Sequence, residues 1–133
     1  MKKIRLFVSL FVLLALITAC APAEEPILTV GNEEYTRSEL ESLGTLSVDY
    51  TNKDGETTGY EGVLLSKLLE DAEVSGENIT FSAADGYEAE ISTDEALACE
   101  NCIVAFDDGS LRMVMPDFSG KLQVKDVVSI TEQ

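Results

Sequence analysis

The chain has 133 residues, 45% of them hydrophobic, which fits one ordinary globular domain and excludes a disordered or collagen-like chain. Nine Lys and Arg stand against 25 Asp and Glu, a formal charge of −16, which disfavours nucleic acid: binding phosphates requires clustered cations that displace counterions. The chain has no His, which excludes a His-based catalytic triad and a His-ligated metal.

The chain opens with three bases, Lys2, Lys3 and Arg5, followed by an apolar run from Leu6 to Leu16. That run is shorter than the roughly 20 apolar residues a spanning helix needs, so residues 1–19 are expected to be a cleaved export signal and not a retained anchor. Its end, Leu16-Ile17-Thr18-Ala19-Cys20, resembles the bacterial lipobox. That resemblance implies diacylation of Cys20, which becomes the new N-terminus and attaches the protein to a membrane through acyl chains. Loss of residues 1–19 removes three bases and no acid, leaving six bases against 25 acids and a formal charge of −19. Anionic headgroups repel such a domain, so the lipid must hold it there. The expected location is the outer face of the cell membrane or the outer membrane. Residues 20–26, Cys-Ala-Pro-Ala-Glu-Glu-Pro, read as a polar tether, and residues 27–133 as the domain.

Within the domain, Ile27–Val30 is a short β-prone run, and Thr36-Arg37-Ser38-Glu39 is a capping box opening a helix to Leu43. Thr45–Thr51 alternates Leu46, Val48 and Tyr50 with polar residues, the period of a half-buried strand. Asn52-Lys53-Asp54-Gly55 supplies a turn, with Glu56–Thr58 as a continuation of the sheet. Leu64, Leu65, Leu68 and Leu69 form a helical apolar face ending near Ala72. Ile79–Ala83 and Tyr87–Ser92 flank Asp85-Gly86 as a hairpin, and Thr93–Leu97 reads as one helical turn. Ile103–Phe106 and Leu111–Met115 flank Asp107-Asp108-Gly109 as a second hairpin, and Val124–Ile130 closes the chain as a strand. The expected class is α+β: seven or eight short strands in a mainly antiparallel, sandwich- or barrel-like sheet, with two or three short helices.

Four segments in order resemble the oxidoreductase molybdopterin-binding domain, the sulfite oxidase-like fold. They are Gly59-Tyr60-Glu61-Gly62-Val63-Leu64-Leu65 with Leu68-Leu69 and Val74; Phe81 to Tyr87 with Ile91-Ser92-Thr93; Ile103–Phe106 with Leu111-Arg112-Met113-Val114-Met115-Pro116; and Gly120 to Ile130. The resemblance implies molybdopterin as the cofactor to consider and ligand-binding roles for Tyr60, Asp85, Tyr87, Arg112, Lys121 and Lys125. It also implies a molybdenum-ligating Cys upstream of the Tyr60 segment. Here that stretch reads Leu46-Ser47-Val48-Asp49-Tyr50-Thr51, without a Cys. The family's His is missing as well, and the Trp expected after Val124-Lys125 is Asp126. No cofactor, metal ligand or catalytic residue is therefore expected.

Cys99 and Cys102 sit in a Cys-Glu-Asn-Cys motif of an exported chain, where disulfides persist. A small disulfide between Cys99 and Cys102 is the expectation, with two free thiols and a redox pair as the alternatives. Glu100 and the neighbouring acids oppose the depressed thiol pKa that a redox site needs. The leading expectation is a non-catalytic, lipid-anchored cell-envelope protein that binds a small ligand or a partner protein. The alternatives are a genuine molybdopterin oxidoreductase, a Cys99/Cys102 thiol redox protein, and an envelope assembly module whose sheet edges meet another protein.

Overall fold

The computed structural model describes residues 24–133. The signal segment, Cys20 and the first part of the tether lie outside the described residues, among which no helix is long and apolar enough to cross a membrane. The elements run β1 (Leu28–Val30), β2 (Glu33–Tyr35), α1 (Arg37–Ser42), β3 (Thr45–Thr51), β4 (Thr57–Leu64) and α2 (Leu65–Asp71). They continue with β5 (Asn78–Ala83), β6 (Glu88–Ser92), α3 (Thr93–Ala98), β7 (Ile103–Asp107), β8 (Ser110–Val114) and β9 (Val127–Glu132). The class is α+β, with two antiparallel-rich sheets and three short helices.

The first sheet has the order β2-β1-β9-β5-β6 and the second β3-β4-β7-β8, and β1 with β9 is a parallel pair. Period-2 alternation sorts the second sheet into two faces. Val63, Val104, Leu111 and Met113 join the main core with Leu28, Ile79, Phe81 and Ile130 of the first sheet and Leu65, Leu68 and Leu69 of α2. Val48, Ile103, Ala105 and Val114 form a smaller cluster on the opposite face, against which Leu46, Tyr50 and Tyr60 pack. Strand β7 is thus buried on both faces at Ile103, Val104 and Ala105, which explains its unbroken apolar run.

Local chemistry sets the boundaries. Thr36 Oγ1 accepts from Glu39 N at 3.2 Å while the Glu39 carboxylate accepts from Thr36 N at 2.8 Å, so α1 opens with a complete capping box. Ser92 caps α3 by accepting from Glu95 N at 3.2 Å. Asp108 and Gly109 both have positive φ, 43° and 86°, the backbone of a tight two-residue hairpin joining β7 to β8.

Three boundaries depart from expectation. Strand β2 was not anticipated, because Glu33 and Glu34 hide its pattern; only Tyr35 turns inward, donating to the Asp71 carboxylate of α2 at 2.7 Å. Burial, and then that carboxylate, push the Tyr35 phenol pKa up. Strand β4 absorbs Gly59-Tyr60-Glu61-Gly62-Val63-Leu64, so the helical apolar face begins at Leu65 and Leu64 belongs to the strand. Strand β9 starts at Val127, because Asp126 takes φ 51° and breaks the extended run from Val124. At the other end of β9, the Glu132 carboxylate accepts from Ser75 N (2.8 Å) and Gly76 N (3.0 Å), which holds its pKa below the ordinary glutamate value.

Cys99 and Cys102 are joined in a disulfide at the end of α3, with their Cα atoms 5.6 Å apart. Cys102 is fully buried and its carbonyl accepts from Leu65 N at 2.8 Å, so backbone contacts already fix this loop. The ring is very short, and closing it in the unfolded chain removes at most about 2 kcal/mol of entropy. Reduction is therefore expected to keep a single cooperative melt and lower Tm by no more than about 10 °C. Thermal melts with and without a phosphine reductant check this, and a collapse of the transition would contradict it.

Candidate functional site

The hairpin β3–β4 extends past the rest of its sheet. All seven β3 residues from Thr45 to Thr51 pair with β4, whereas β4 pairs with β7 only from Gly62 to Leu64. Asn52 builds the turn at the tip: its Oδ1 accepts from Asp54 N at 2.9 Å and Glu56 N at 3.0 Å. The projecting ribbon forms one wall of a cleft of about 650 Å³. Tyr50, Thr58 and Tyr60 line that wall, Lys53, Asp54 and Glu56 its rim, and Arg112, Gln123 and Lys125 the opposite side.

Arg112 lies on β8 opposite Ala105, whose small side chain leaves room for it on the face of the smaller cluster. It is only 8% exposed. Its Nη1 donates to the Tyr60 hydroxyl at 2.9 Å and stands 3.9 Å from the Asp107 carboxylate, while its guanidinium carbon sits 4.7 Å from the Tyr60 ring centroid. Its Nε is buried without a hydrogen-bond acceptor. Lys125 pairs directly across from Arg112 in an antiparallel bridge, which puts both side chains on one face. Like charges directly opposite each other destabilise a sheet. Among the described residues no carboxylate lies within ion-pair distance of Lys125.

Gln123 fixes the segment that delivers Lys125. Its side chain accepts from Met115 N at 2.8 Å and donates to Met115 O at 2.6 Å, clasping the loop between β8 and Lys125. Three of the six described cations, Lys53, Arg112 and Lys125, converge on this cleft in a strongly acidic domain. The carboxylates of Asp54 and Glu56 share the rim with Lys53, so the excess of positive charge lies at Arg112 and Lys125.

Of the six residues singled out for ligand binding, Tyr60, Arg112 and Lys125 meet in the cleft. Asp85, Tyr87 and Lys121 do not line it. The Asp85 carboxylate accepts from Tyr87 N at 2.9 Å within its hairpin, and the Tyr87 hydroxyl donates to the Lys121 carbonyl at 2.9 Å. Those three residues connect the β5–β6 hairpin to the turn at Gly120–Leu122. Tyr50, Lys53 and Gln123 were not singled out. In the sequence Tyr50 carries only the alternation of a half-buried strand, and Lys53 only the signature of a turn.

A molybdenum centre held by one protein thiolate needs a cysteine sulfur at the cleft. Ser47, Asp49 and Thr51 are exposed and occupy the alternate positions of β3, on the face away from Tyr50. The two described Cys are bonded to each other beside a separate cavity lined by Glu95, Asn101, Asp117 and Phe118. Among the described residues no group of three His, Cys, Asp or Glu is placed to hold a metal ion. The cleft thus has cations suited to an anionic group but, among the described residues, no thiolate for the metal.

No family model and no curated protein matches the chain. Among solved structures it is similar to the sulfane dehydrogenase SoxCD from Paracoccus pantotrophus, with a TM-score of 0.65 and 17% identity. The match covers 80% of this chain but 37% of that one. The likeness is one of fold, and this chain spans little more than a third of the dehydrogenase's length.

Proposed function

We propose that this is a lipid-anchored cell-envelope protein whose sulfite oxidase-like domain binds a small anionic ligand in the cleft and performs no redox chemistry of its own. One observation carries the reading: Arg112 is buried with an unsatisfied Nε and faces a second cation, Lys125, on the same sheet face. An anion held between the Arg112 guanidinium and the Lys125 ammonium relieves the repulsion between them. The lipobox-like Leu16–Cys20 supports the anchor and the likeness to SoxCD supports the scaffold. The missing thiolate at the cleft argues against molybdenum chemistry. The acids Glu95, Glu100 and Asp117 around the disulfide argue against thiol redox work, because they disfavour a thiolate there.

Two measurements test the proposal. Protein purified from a molybdate-supplied host is expected to hold molybdenum at far below one equivalent. Replacing chloride by sulfate at constant ionic strength is expected to raise Tm by several degrees more than in Lys125→Met, whose rise is only the general effect of sulfate on burial; saturation at 100 times Kd adds about 2.7 kcal/mol of stability. Equimolar molybdenum, or an identical sulfate response in Lys125→Met, would overturn the reading.

A further inference from the structure

We infer that the domain pairs with a second copy of itself, strand β3 against strand β3, about a two-fold axis at Val48. The inference goes beyond the anion-binding reading and does not depend on it. Among the described residues four strands end a sheet, and three of them are guarded against a further strand. Strand β2 has three residues, two of them exposed Glu, and β6 carries exposed Glu88 and Glu90. Strand β8 already meets the Lys125 segment, through Met113 N donating to Val124 O and the bridge from Arg112. Strand β3 is the longest of the four, pairs with β4 along all seven residues and contains no Lys, Arg or Pro.

The turn sets which backbone groups of β3 are free. Asn52 N donates to Glu56 O at 2.9 Å, so antiparallel alternation turns the N–H and C=O groups of Tyr50, Val48 and Leu46 toward β4. Those of Thr45, Ser47, Asp49 and Thr51 point to the open edge. An antiparallel copy centred on Val48 sets Ser47 opposite Asp49 and Thr45 opposite Thr51, so every outward residue joins a hydrogen-bonded pair. The same register sets Leu46 opposite Tyr50 and Val48 opposite Val48, which continues the apolar face of one copy into the other. Moving the axis to Ser47 or Asp49 shortens the pairing, and at Asp49 it sets two carboxylates face to face. Charge agrees with the axis at Val48. A Cβ at Gly44, just before β3, would stand 3.5 Å from Lys67 Nζ, and Gly44 falls opposite Asn52 of the second copy. Lys67 is exposed and, among the described residues, has no carboxylate within ion-pair distance; the turn it meets carries exposed Asp54 and Glu56. Leu46 of the second copy comes beside Tyr50, so each copy flanks the other's cleft.

Sedimentation equilibrium of residues 20–133 with Cys20→Ala, which removes the lipid, checks the inference. A seam of one strand pair is small, so a monomer–dimer equilibrium with Kd on the order of 10 μM is expected. Ser47→Asp faces two carboxylates across the axis twice and is expected to weaken the dimer about tenfold, about threefold for each pair. Ser47→Lys faces Asp49 and is expected to strengthen it about threefold, because Glu61 on β4 competes for the ammonium. Asn32→Asp and Asn32→Lys make the same charge changes in the turn between β1 and β2 of the other sheet. At 0.15 M salt, where charges beyond about 8 Å are screened, these two are expected to move Kd less than about twofold. Ser47 and Asn32 are both exposed, so no core contact is lost, and circular dichroism verifies that each variant is folded. A chain still monomeric at about 500 μM overturns the pairing. A dimer that responds alike to the changes at Ser47 and at Asn32 overturns the β3 seam.

Discussion

Gly62→Ala is expected to destabilise the domain by about 3 kcal/mol or more, a large share of the roughly 5–15 kcal/mol that holds a domain folded. At Gly62 the backbones of β4 and β7 approach so closely that a Cβ would fall on the Val104 carbonyl oxygen and 2.7 Å from its carbonyl carbon. Those atoms belong to the most buried strand of the second sheet and cannot retreat as a flexible side chain could. Relief requires β4 to move off β7, which withdraws Val63 from the main core and shifts Tyr60 from Arg112. Both stability and cleft geometry should therefore suffer. Gly120→Ala is the matched control, because a Cβ there meets nothing within 4 Å, and it should change stability by no more than about 0.5 kcal/mol. Urea denaturation of the two variants decides the matter; equal midpoints would show that the sheet has more freedom at Gly62 than its packing implies.

The same glycine explains much of what was hard to read in the sequence. Strand signals rest on β-branched and aromatic residues in alternation, and Gly59 with Gly62 interrupts that alternation in the middle of β4. A glycine demanded by close backbone approach looks, in one dimension, like a loop. The helix at Leu65 was legible because Leu65, Leu68 and Leu69 recur at helical spacing, and Thr36 and Glu39 marked the start of α1 because a capping box is entirely local. The resemblance to the sulfite oxidase-like fold rested on segments from Gly59 to Ile130, and the fold shared with part of SoxCD agrees with it.

The cleft was legible only in part, for a different reason. Arg112 and Lys125 lie thirteen positions apart, and nothing local signals that Met113 N donates to Val124 O and brings the two cations into register. Lys53 and Asp54 looked like ordinary turn residues and are ordinary turn residues; their place on the rim comes from how far the β3–β4 ribbon projects. Asp85 and Tyr87 had the opposite fate. Their segment resembles the family's pattern, yet their polar atoms are spent on their own turn and on the Lys121 carbonyl, outside the cleft.

Cys20→Ala is expected to move the protein from the membrane fraction to the soluble fraction entirely while leaving the melt of the domain unchanged. The two effects separate because the anchor and the fold share no residues: the first strand starts at Leu28, and no described helix is long and apolar enough to span a bilayer. A single acyl chain binds marginally and two bind stably, so the diacyl group implied at Cys20 is a sufficient anchor by itself. The expected mature chain, with 25 acids against six bases, is repelled by anionic headgroups and adds no electrostatic hold of its own. Residues 20–26 reach at most about 25 Å when extended, enough to hold an acidic domain clear of the headgroups yet within reach of soluble ligands near the surface. Fractionation after a high-salt wash is the decisive measurement, because salt removes electrostatic adhesion and leaves only acyl insertion. A Cys20→Ala protein still in the pellet after that wash would mean that something other than lipid holds the protein, and the cell-envelope reading would then need a protein partner.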